Sequence, residues 1–98
     1  MKAWPAALDV PTEPEGSVVM VGHSDCETSL MMLRALEGLY RRRTRPVAVA
    51  AVLQDEPGAA RTVTEELGLT MPLRLDGEPY SLTAPLGLTG VPVTFVLG

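Results

Sequence analysis

Two short apolar runs, separated by one long amphipathic segment, constrain this chain more than any other feature. The runs cover residues 17–21 and 47–53 and are rich in valine and alanine. Uninterrupted apolar strands of this length are typical of parallel sheets that are buried on both faces. Between the runs, apolar side chains recur at three- and four-residue steps, on one face of a helix that ends near Arg43: Leu30, Leu33, Leu36 and Tyr40. The pattern therefore predicts a strand, a helix and a second, parallel strand.

The rest of the chain continues this alternation. Pro57 suits the first turn of a second helix, and Gly68 suits its end. Short strands are predicted over residues 72–75 and 93–97. Between them, a short helix over residues 80–86 is expected to be shortened or distorted by Pro85. We therefore expect an α/β fold in which a mainly parallel sheet carries helices on both faces.

The length of 98 residues fits one domain, which we place at residues 17–98 after an irregular, proline-containing lead-in over 1–16. No apolar run approaches the length of a membrane span, so we expect no membrane partner. The first ten residues do not resemble a signal peptide. The chain as given is thus expected to be cytoplasmic, and an exported origin stays open if it is cut from a longer protein.

Charge and residue counts exclude several classes of function. A net charge of −4 argues against nucleic acid as a partner, because binding it requires a basic face. The arginines that cluster at residues 41–45 fit the C-terminal end of a helix, where cations are favoured. A single cysteine excludes an internal disulfide. One cysteine, one histidine and scattered carboxylates do not make a metal site, and we expect no cofactor.

Cys26 occupies the junction between the first strand and the long helix. The N–H groups at a helix N-terminus are unpaired, and they stabilise a thiolate, which is the nucleophilic form of cysteine. Ser24 with Glu27 fits a capping box for this helix, and Asp25 is an alternative N-cap. Asp25 and Glu27 should raise the pKa of the thiol, whereas a protonated His23 nearby should lower it. We therefore expect a moderately activated thiol at Cys26.

A second motif, Gly-Val-Pro-Val-Thr-Phe, occupies residues 90–95. Proline cannot donate to a sheet ladder, so Pro92 belongs at the beginning of its strand. The order of strand, Cys-x-x-Ser, helix, strand, helix, strand and then this motif resembles the thioredoxin-like proteins over residues 17–98. It is most similar to the TlpA-like or redoxin branch of thiol–disulfide oxidoreductases, related to the AhpC/TSA proteins. That branch inserts a helix and a strand that fit residues 57–75.

The resemblance implies a role for each of four residues. It places Cys26 at the attacking cysteine, Pro92 at a cis-proline beside it, and Val91 where the family's backbone pairs with a substrate. Ser29 falls on the resolving cysteine of the family, so another thiol would have to complete the reaction cycle. Asp25 stands where the family has a tryptophan.

Three functions are compatible with these residues. The first is a monothiol oxidoreductase in which Cys26 forms mixed disulfides with a disulfide-containing protein or a low-molecular-weight thiol. The second is a redox-inactive module that binds peptides in a groove beside Pro92. The third is a peroxidase of the peroxiredoxin type, which His23 and Val19 disfavour because those enzymes carry threonine and proline at the two positions. His23 is a further candidate catalytic residue, although a histidine in such a position is more often a plain loop residue.

In the thioredoxin-like family the strand that matches residues 93–97 is followed by one more strand and a helix, which the resemblance leads us to expect are missing here. The resemblance places residues 93–97 antiparallel to residues 17–21, with the other edge of the strand open. That segment is apolar and uncharged, and proteins usually protect such edges. We therefore expect either a fragment of a longer chain or an edge that a second copy or another partner covers, as in a homodimer.

Overall fold

The computed structural model describes residues 10, 11 and 13–97, and strands alternate with helices along this part of the chain. In chain order the elements are β1 (Ser17–Gly22), α1 (Glu27–Arg42), β2 (Ala48–Leu53), α2 (Pro57–Leu67), β3 (Leu73–Leu75) and β4 (Val93–Leu97). Residues 1–9 and 12 of the expected lead-in lie outside the described residues. Among the helices of the described part, none is long and apolar enough to cross a membrane.

The four strands form one mixed sheet in the order β3-β2-β1-β4. β1 pairs in parallel with β2, and β2 pairs in parallel with β3. β4 pairs antiparallel with β1, with Val19 opposite Phe95. The predicted strands, the parallel pairing of the two apolar runs and the antiparallel last strand are all confirmed. In the described part of the chain, β1 is central and β4 lies at an edge.

Both long helices pack against the same face of the sheet. The buried cluster on this face joins residues of β1 and β2 with residues of the helices: Met20, Val49, Ala51, Leu53, Leu33, Leu36, Ala60 and Val63. The expectation of helices on both faces is therefore wrong for α1 and α2. The strand order explains the result, because two successive right-handed crossovers in the same direction place both helices on one side.

The opposite face of the sheet is covered mainly by the segment that leads into β4. Val19, Val21 and Val52 form its buried cluster, and partly buried apolar side chains pack on it: Leu82, Leu86, Leu88, Val91 and Phe95. Of the short helix predicted over residues 80–86, a 3₁₀ helix forms at Ala84–Leu86, with Pro85 in its first turn. This packing brings Val91 across the sheet toward the loop that follows β1.

The ends of α2 follow the local sequence. The helix begins at Pro57, whose missing N–H is not needed in the first turn. It ends at Gly68, which adopts a left-handed conformation (φ 63°) and donates its N–H to carbonyls of the last turn. Both predictions for this helix are confirmed.

A buried carboxylate ties α1 to the connection between α2 and β3. Glu37 accepts hydrogen bonds from the backbone N–H groups of Thr70 and Met71, the Thr70 hydroxyl and the Arg41 guanidinium. Burial alone would raise the pKa of Glu37, but the hydrogen bonds from Thr70, Met71 and Arg41 outweigh it and lower the pKa to about 2. The ionised form of Glu37 is therefore the form that the fold stabilises.

Candidate active site

Cys26 is the residue at which the loop after β1 becomes α1. It is the N-cap of the helix, with extended backbone angles of φ −102° and ψ 115°. Its N–H donates to the carbonyl of His23, and its carbonyl accepts the N–H of Leu30 in the first helical bond. Its side chain is partly exposed. The sulfur thus lies beside the unpaired N–H groups of the helix N-terminus while remaining open to solvent.

The helix begins later than the capping-box prediction, and no side chain caps it. The Ser24 hydroxyl instead donates to Asp55 Oδ1 (2.7 Å), and the Ser24 N–H donates to Asp55 Oδ2 (3.0 Å). The capping roles given to Ser24 and Asp25 are therefore wrong. The physical reason is that Asp55, at the end of the neighbouring strand, offers Ser24 a charged acceptor.

Val91 lies directly across from the sulfur. The Cys26 thiol donates to the Val91 carbonyl, with a sulfur-to-oxygen distance of 3.9 Å. The peptide bond between Val91 and Pro92 is cis. Two segments that are far apart in the sequence thus meet at the sulfur, and the backbone of the second one faces Cys26.

Ser29 lies one helical turn after Cys26 and is fully buried. Its hydroxyl oxygen accepts the N–H of His23 at 3.2 Å, which connects the loop to the first turn of the helix. Hydrogen bonds from the Ser29 hydroxyl, and next from its backbone N–H, hold the pKa of the Cys26 thiol below its usual value. Burial opposes this shift, and hydrogen bonds from Thr28 add to it. Hydrogen bonding in the first helical turn is thus the main determinant of the thiol pKa.

The ring of His23 is directed toward Asp55. Its Nε2 lies 3.6 Å from Asp55 Oδ1, and its Nδ1 accepts the N–H of Asp25 at 3.0 Å. The two ring nitrogens thus connect the loop after β1 to Asp25 and to the segment after β2. His23 therefore helps to fix the loop that carries Cys26.

Asp55 was not recognised from the sequence as part of the site. It directly follows Gln54 after β2, and 4 % of its surface is exposed. The signal that could have found it is topological, because the carboxyl ends of neighbouring parallel strands meet at one edge of the sheet. Asp55 fastens the cysteine loop to this edge through Ser24.

A second buried carboxylate organises the loop after β3. Asp76 accepts the Leu82 N–H, the Thr83 N–H and the Thr83 hydroxyl, and only 4 % of its surface is exposed. Gln54, from the end of β2, donates its amide to the Thr83 hydroxyl oxygen at 3.0 Å. The loops after β1, β2 and β3 are thus all tied to one edge of the sheet, and an open cavity of about 350 Å³ lies between them.

Comparison with known proteins finds similarity only at the level of three-dimensional structure. No protein-family model and no curated protein matches the sequence. A secreted disulfide oxidoreductase of Mycobacterium tuberculosis, described as homologous to E. coli DsbE, superposes with a TM-score of 0.74 at 13 % identity, over 93 % of this chain and 64 % of its own. A thiol–disulfide oxidoreductase from Bacteroides fragilis gives 0.69 at 16 % identity, over 86 % and 65 %.

A thioredoxin-like protein from Porphyromonas gingivalis gives a TM-score of 0.67 at 17 % identity, over 85 % of this chain and 57 % of its own. The chain thus spans between 57 % and 65 % of the length of these three solved proteins. Identities of this size establish a common architecture rather than a common reaction. The chain has a thioredoxin-like fold, the fold that these three solved proteins share.

Proposed function

We propose that this chain is a monothiol thiol–disulfide oxidoreductase that acts through Cys26, with residues 17–98 as its catalytic domain. The observation that carries the proposal is the environment of one sulfur atom. Cys26 is partly exposed at the N-cap of α1, and hydrogen bonds from Ser29 lower the pKa of its thiol. A thiol of this kind is more often in the thiolate form at neutral pH than an ordinary cysteine.

The contact between Cys26 and Val91 supports a substrate position beside the sulfur. The Val91 carbonyl already accepts a hydrogen bond from the thiol at 3.9 Å. Once the thiol is ionised it no longer donates, so this carbonyl becomes free to accept an N–H from another chain. An extended peptide next to its own disulfide presents such an N–H. A disulfide in a protein is therefore the proposed substrate.

The reaction has two steps. The Cys26 thiolate attacks one sulfur of the substrate disulfide, the S–S bond breaks, and the other substrate sulfur leaves as a thiolate that takes a proton from water. The product is a mixed disulfide on Cys26. Because Ser29 stands one turn away in place of a second thiol, an external thiol must attack this mixed disulfide and release Cys26.

The test compares Cys26 with a cysteine placed elsewhere on the same helix. The variant Cys26→Ser/Ala35→Cys moves the lone thiol to an exposed position in the middle of α1. Both folded proteins are treated with iodoacetamide below neutral pH, and separately with hydroxyethyl disulfide, and adducts are followed by intact mass. We expect the native chain to react several-fold faster in both experiments, because more of its thiol is ionised.

Equal rates for the native chain and the relocated cysteine would contradict the proposal. A native chain that forms no mixed disulfide over hours would do so as well, and it would favour the redox-inactive peptide-binding module. Circular dichroism of both proteins provides the control that each is folded.

A further inference from the structure

The loops that follow the three parallel strands bring carboxylates to the same edge of the sheet as Cys26. Asp25 follows β1, Asp55 and Glu56 follow β2, and Glu78 follows β3. Since the carboxyl ends of parallel strands share one edge, these four groups belong to a single surface although they are distant in the sequence. Asp25 directly precedes the nucleophile, and its side chain is 93 % exposed.

The four carboxylates line the open cavity beside the cysteine loop, together with His23 and Tyr80. Among the described residues that line this cavity, none is lysine or arginine. The volume of about 350 Å³ is large enough for one long side chain of a bound peptide. A substrate disulfide that reaches Cys26 therefore lies next to a negatively charged surface.

The pKa of Tyr80 responds to the electrostatic field of these carboxylates. Burial contributes most to the raised pKa of its phenol, and the negative charges of Glu78, Asp55 and Glu56 raise it further. These charges oppose the formation of a new negative charge in the cavity, and by the same Coulomb interaction they attract a cation.

The arginine-rich segment does not offset this field at the sulfur. Arg41 and Arg42 lie in the last turn of α1, whereas Cys26 caps its first turn. A helix of this length separates its two ends by roughly 20 Å. That is more than twice the Debye length of about 8 Å at physiological ionic strength, so the arginines act only weakly at the sulfur.

We propose that Cys26 selects cationic substrates: disulfides whose sulfur atoms lie close to lysine, arginine or amine groups react faster than anionic disulfides of the same size. This inference rests on the proposed function, since it names the substrate class of that reaction. The step is the attack described above, in which the Cys26 thiolate displaces one substrate sulfur as a thiolate. The carboxylates take no part in bond making; they raise the local concentration of the cationic disulfide.

The test uses the full chain and three small disulfides that differ mainly in charge. Cystamine is cationic, hydroxyethyl disulfide is neutral and dithiodipropionate is anionic. Rates of mixed-disulfide formation on Cys26 are followed by mass spectrometry, and each rate is divided by that of mercaptoethanol with the same disulfide. We expect the normalised rate of cystamine to exceed that of dithiodipropionate on the order of tenfold at low salt, and the ratio to approach one in high salt.

A matched pair of variants separates this surface from the total charge of the chain. Asp25→Asn/Glu56→Gln removes two charges at the cavity, and we expect it to reduce the ratio several-fold. Glu65→Gln, near the far end of α2, removes an exposed charge away from the cavity and should leave the ratio unchanged. The ratio is the readout because a change in the thiol pKa itself alters all three rates together.

The outcomes distinguish the two proposals. If hydroxyethyl disulfide forms no adduct, the proposed function fails, and the selectivity fails with it. If that neutral disulfide reacts but the normalised rates of the charged disulfides are equal, the proposed function stands and the selectivity is overturned. A ratio that persists in high salt would also overturn it, because an electrostatic preference must be screened.

Discussion

At the scale of single residues, Ser29 serves both the loop and the sulfur. Its hydroxyl oxygen accepts the His23 N–H, and its proton remains available to Cys26. Hydrogen bonds that share one hydroxyl in this way polarise each other. The absence of a side chain at Gly22 makes room for it, since a Cβ there would lie 2.9 Å from the Ser29 hydroxyl oxygen. Ser29, which the resemblance aligns with a resolving cysteine, therefore connects the loop to the sulfur in this chain.

Replacing Ser29 by alanine should raise the pKa of Cys26. The reason is that Ser29 contributes the largest of the effects that lower this pKa, and alanine removes its hydroxyl. The pKa is measured from the ultraviolet absorbance of the thiolate during a pH titration, together with the alkylation rate at fixed pH. Each unit of increase means about tenfold less thiolate at a pH below the pKa.

Thr28→Ala is the matched control, because Thr28 is the neighbouring hydroxyl residue and its hydroxyl contributes least to the same shift. It should change the pKa of Cys26 less than Ser29→Ala does. An equal change in both variants would show that Ser29 has no special role. Ser29→Ala should also lose about 1 kcal/mol of unfolding free energy, because it leaves the His23 N–H without its acceptor.

At the scale of elements, a few buried carboxylates hold the connections between strands and helices. Asp55 binds the loop after β1, Asp76 binds the loop after β3, and Glu37 binds the connection after α2. Each accepts backbone N–H groups that no ladder or helix satisfies. The regular elements supply the apolar core, and these three side chains set the paths of the segments between them.

Glu37 should make the stability of the fold depend on pH in acid. Its pKa is about 2 in the folded protein and 4.5 in the reference state, so the stability it contributes is present above about pH 4.5 and is lost as the pH falls toward 2. Urea unfolding at several pH values measures this loss. Glu37→Gln should unfold more easily near neutral pH by about 2 kcal/mol, because an amide cannot accept all the hydrogen bonds.

The change of the unfolding free energy with pH, compared between the native chain and Glu37→Gln, tests this prediction. In Glu37→Gln, the unfolding free energy should fall less steeply with acid than in the native chain, since the titrating group is gone. The exposed Glu66→Gln should match the native chain within about 0.5 kcal/mol. Parallel pH profiles for native and Glu37→Gln proteins would contradict the role given to this carboxylate.

The sequence predicted the elements that depend on local residue patterns and missed those that depend on contacts between distant residues. β1, β2 and both helices follow from local apolar patterns and from Pro57 and Gly68, and all four were predicted. The segment from Asp76 to Thr83 was not, because its path depends on a left-handed backbone at Tyr80 (φ 59°) and on hydrogen bonds that the Leu82 and Thr83 N–H groups donate to the buried Asp76. In the candidate site, Cys26 and Ser29 were proposed from the chain order, whereas Asp55 acts through a contact with Ser24 across 31 positions.

At the scale of the whole molecule, the strands of the sheet differ in how many neighbouring strands they pair with. β1 and β2 are paired on both sides, whereas β4 is paired only with β1 in the part of the chain that the structure describes. Val96 on β4 is 74 % exposed, and it lies opposite Val18 on the face that carries the helices. An apolar edge of this kind pairs readily with another strand.

We expect the chain to associate with itself as its concentration rises, and we expect Val96→Lys to weaken that association. A lysine on an edge strand opposes edge-to-edge pairing. Sedimentation velocity at several concentrations measures the effect. Val96→Thr is the control, because it keeps the branched shape without adding a charge. A native chain that sediments as a monomer at every concentration would contradict this prediction.

The central position of β1 has a consequence for the lifetime of the site. Cys26 follows β1, Asp55 follows β2 and Val91 precedes β4, and both neighbouring strands are hydrogen-bonded to β1. These three residues can move apart with their strands only if the hydrogen bonds between β1 and its neighbours break. Hydrogen exchange would detect that opening as the slow exchange of the β1 amides with deuterium. The arrangement of Cys26, Asp55 and Val91 is therefore expected to last as long as β1 stays paired with its two neighbours. If the proposed substrate binds here, its entry and exit require movement of the surface loops and no separation of the strands.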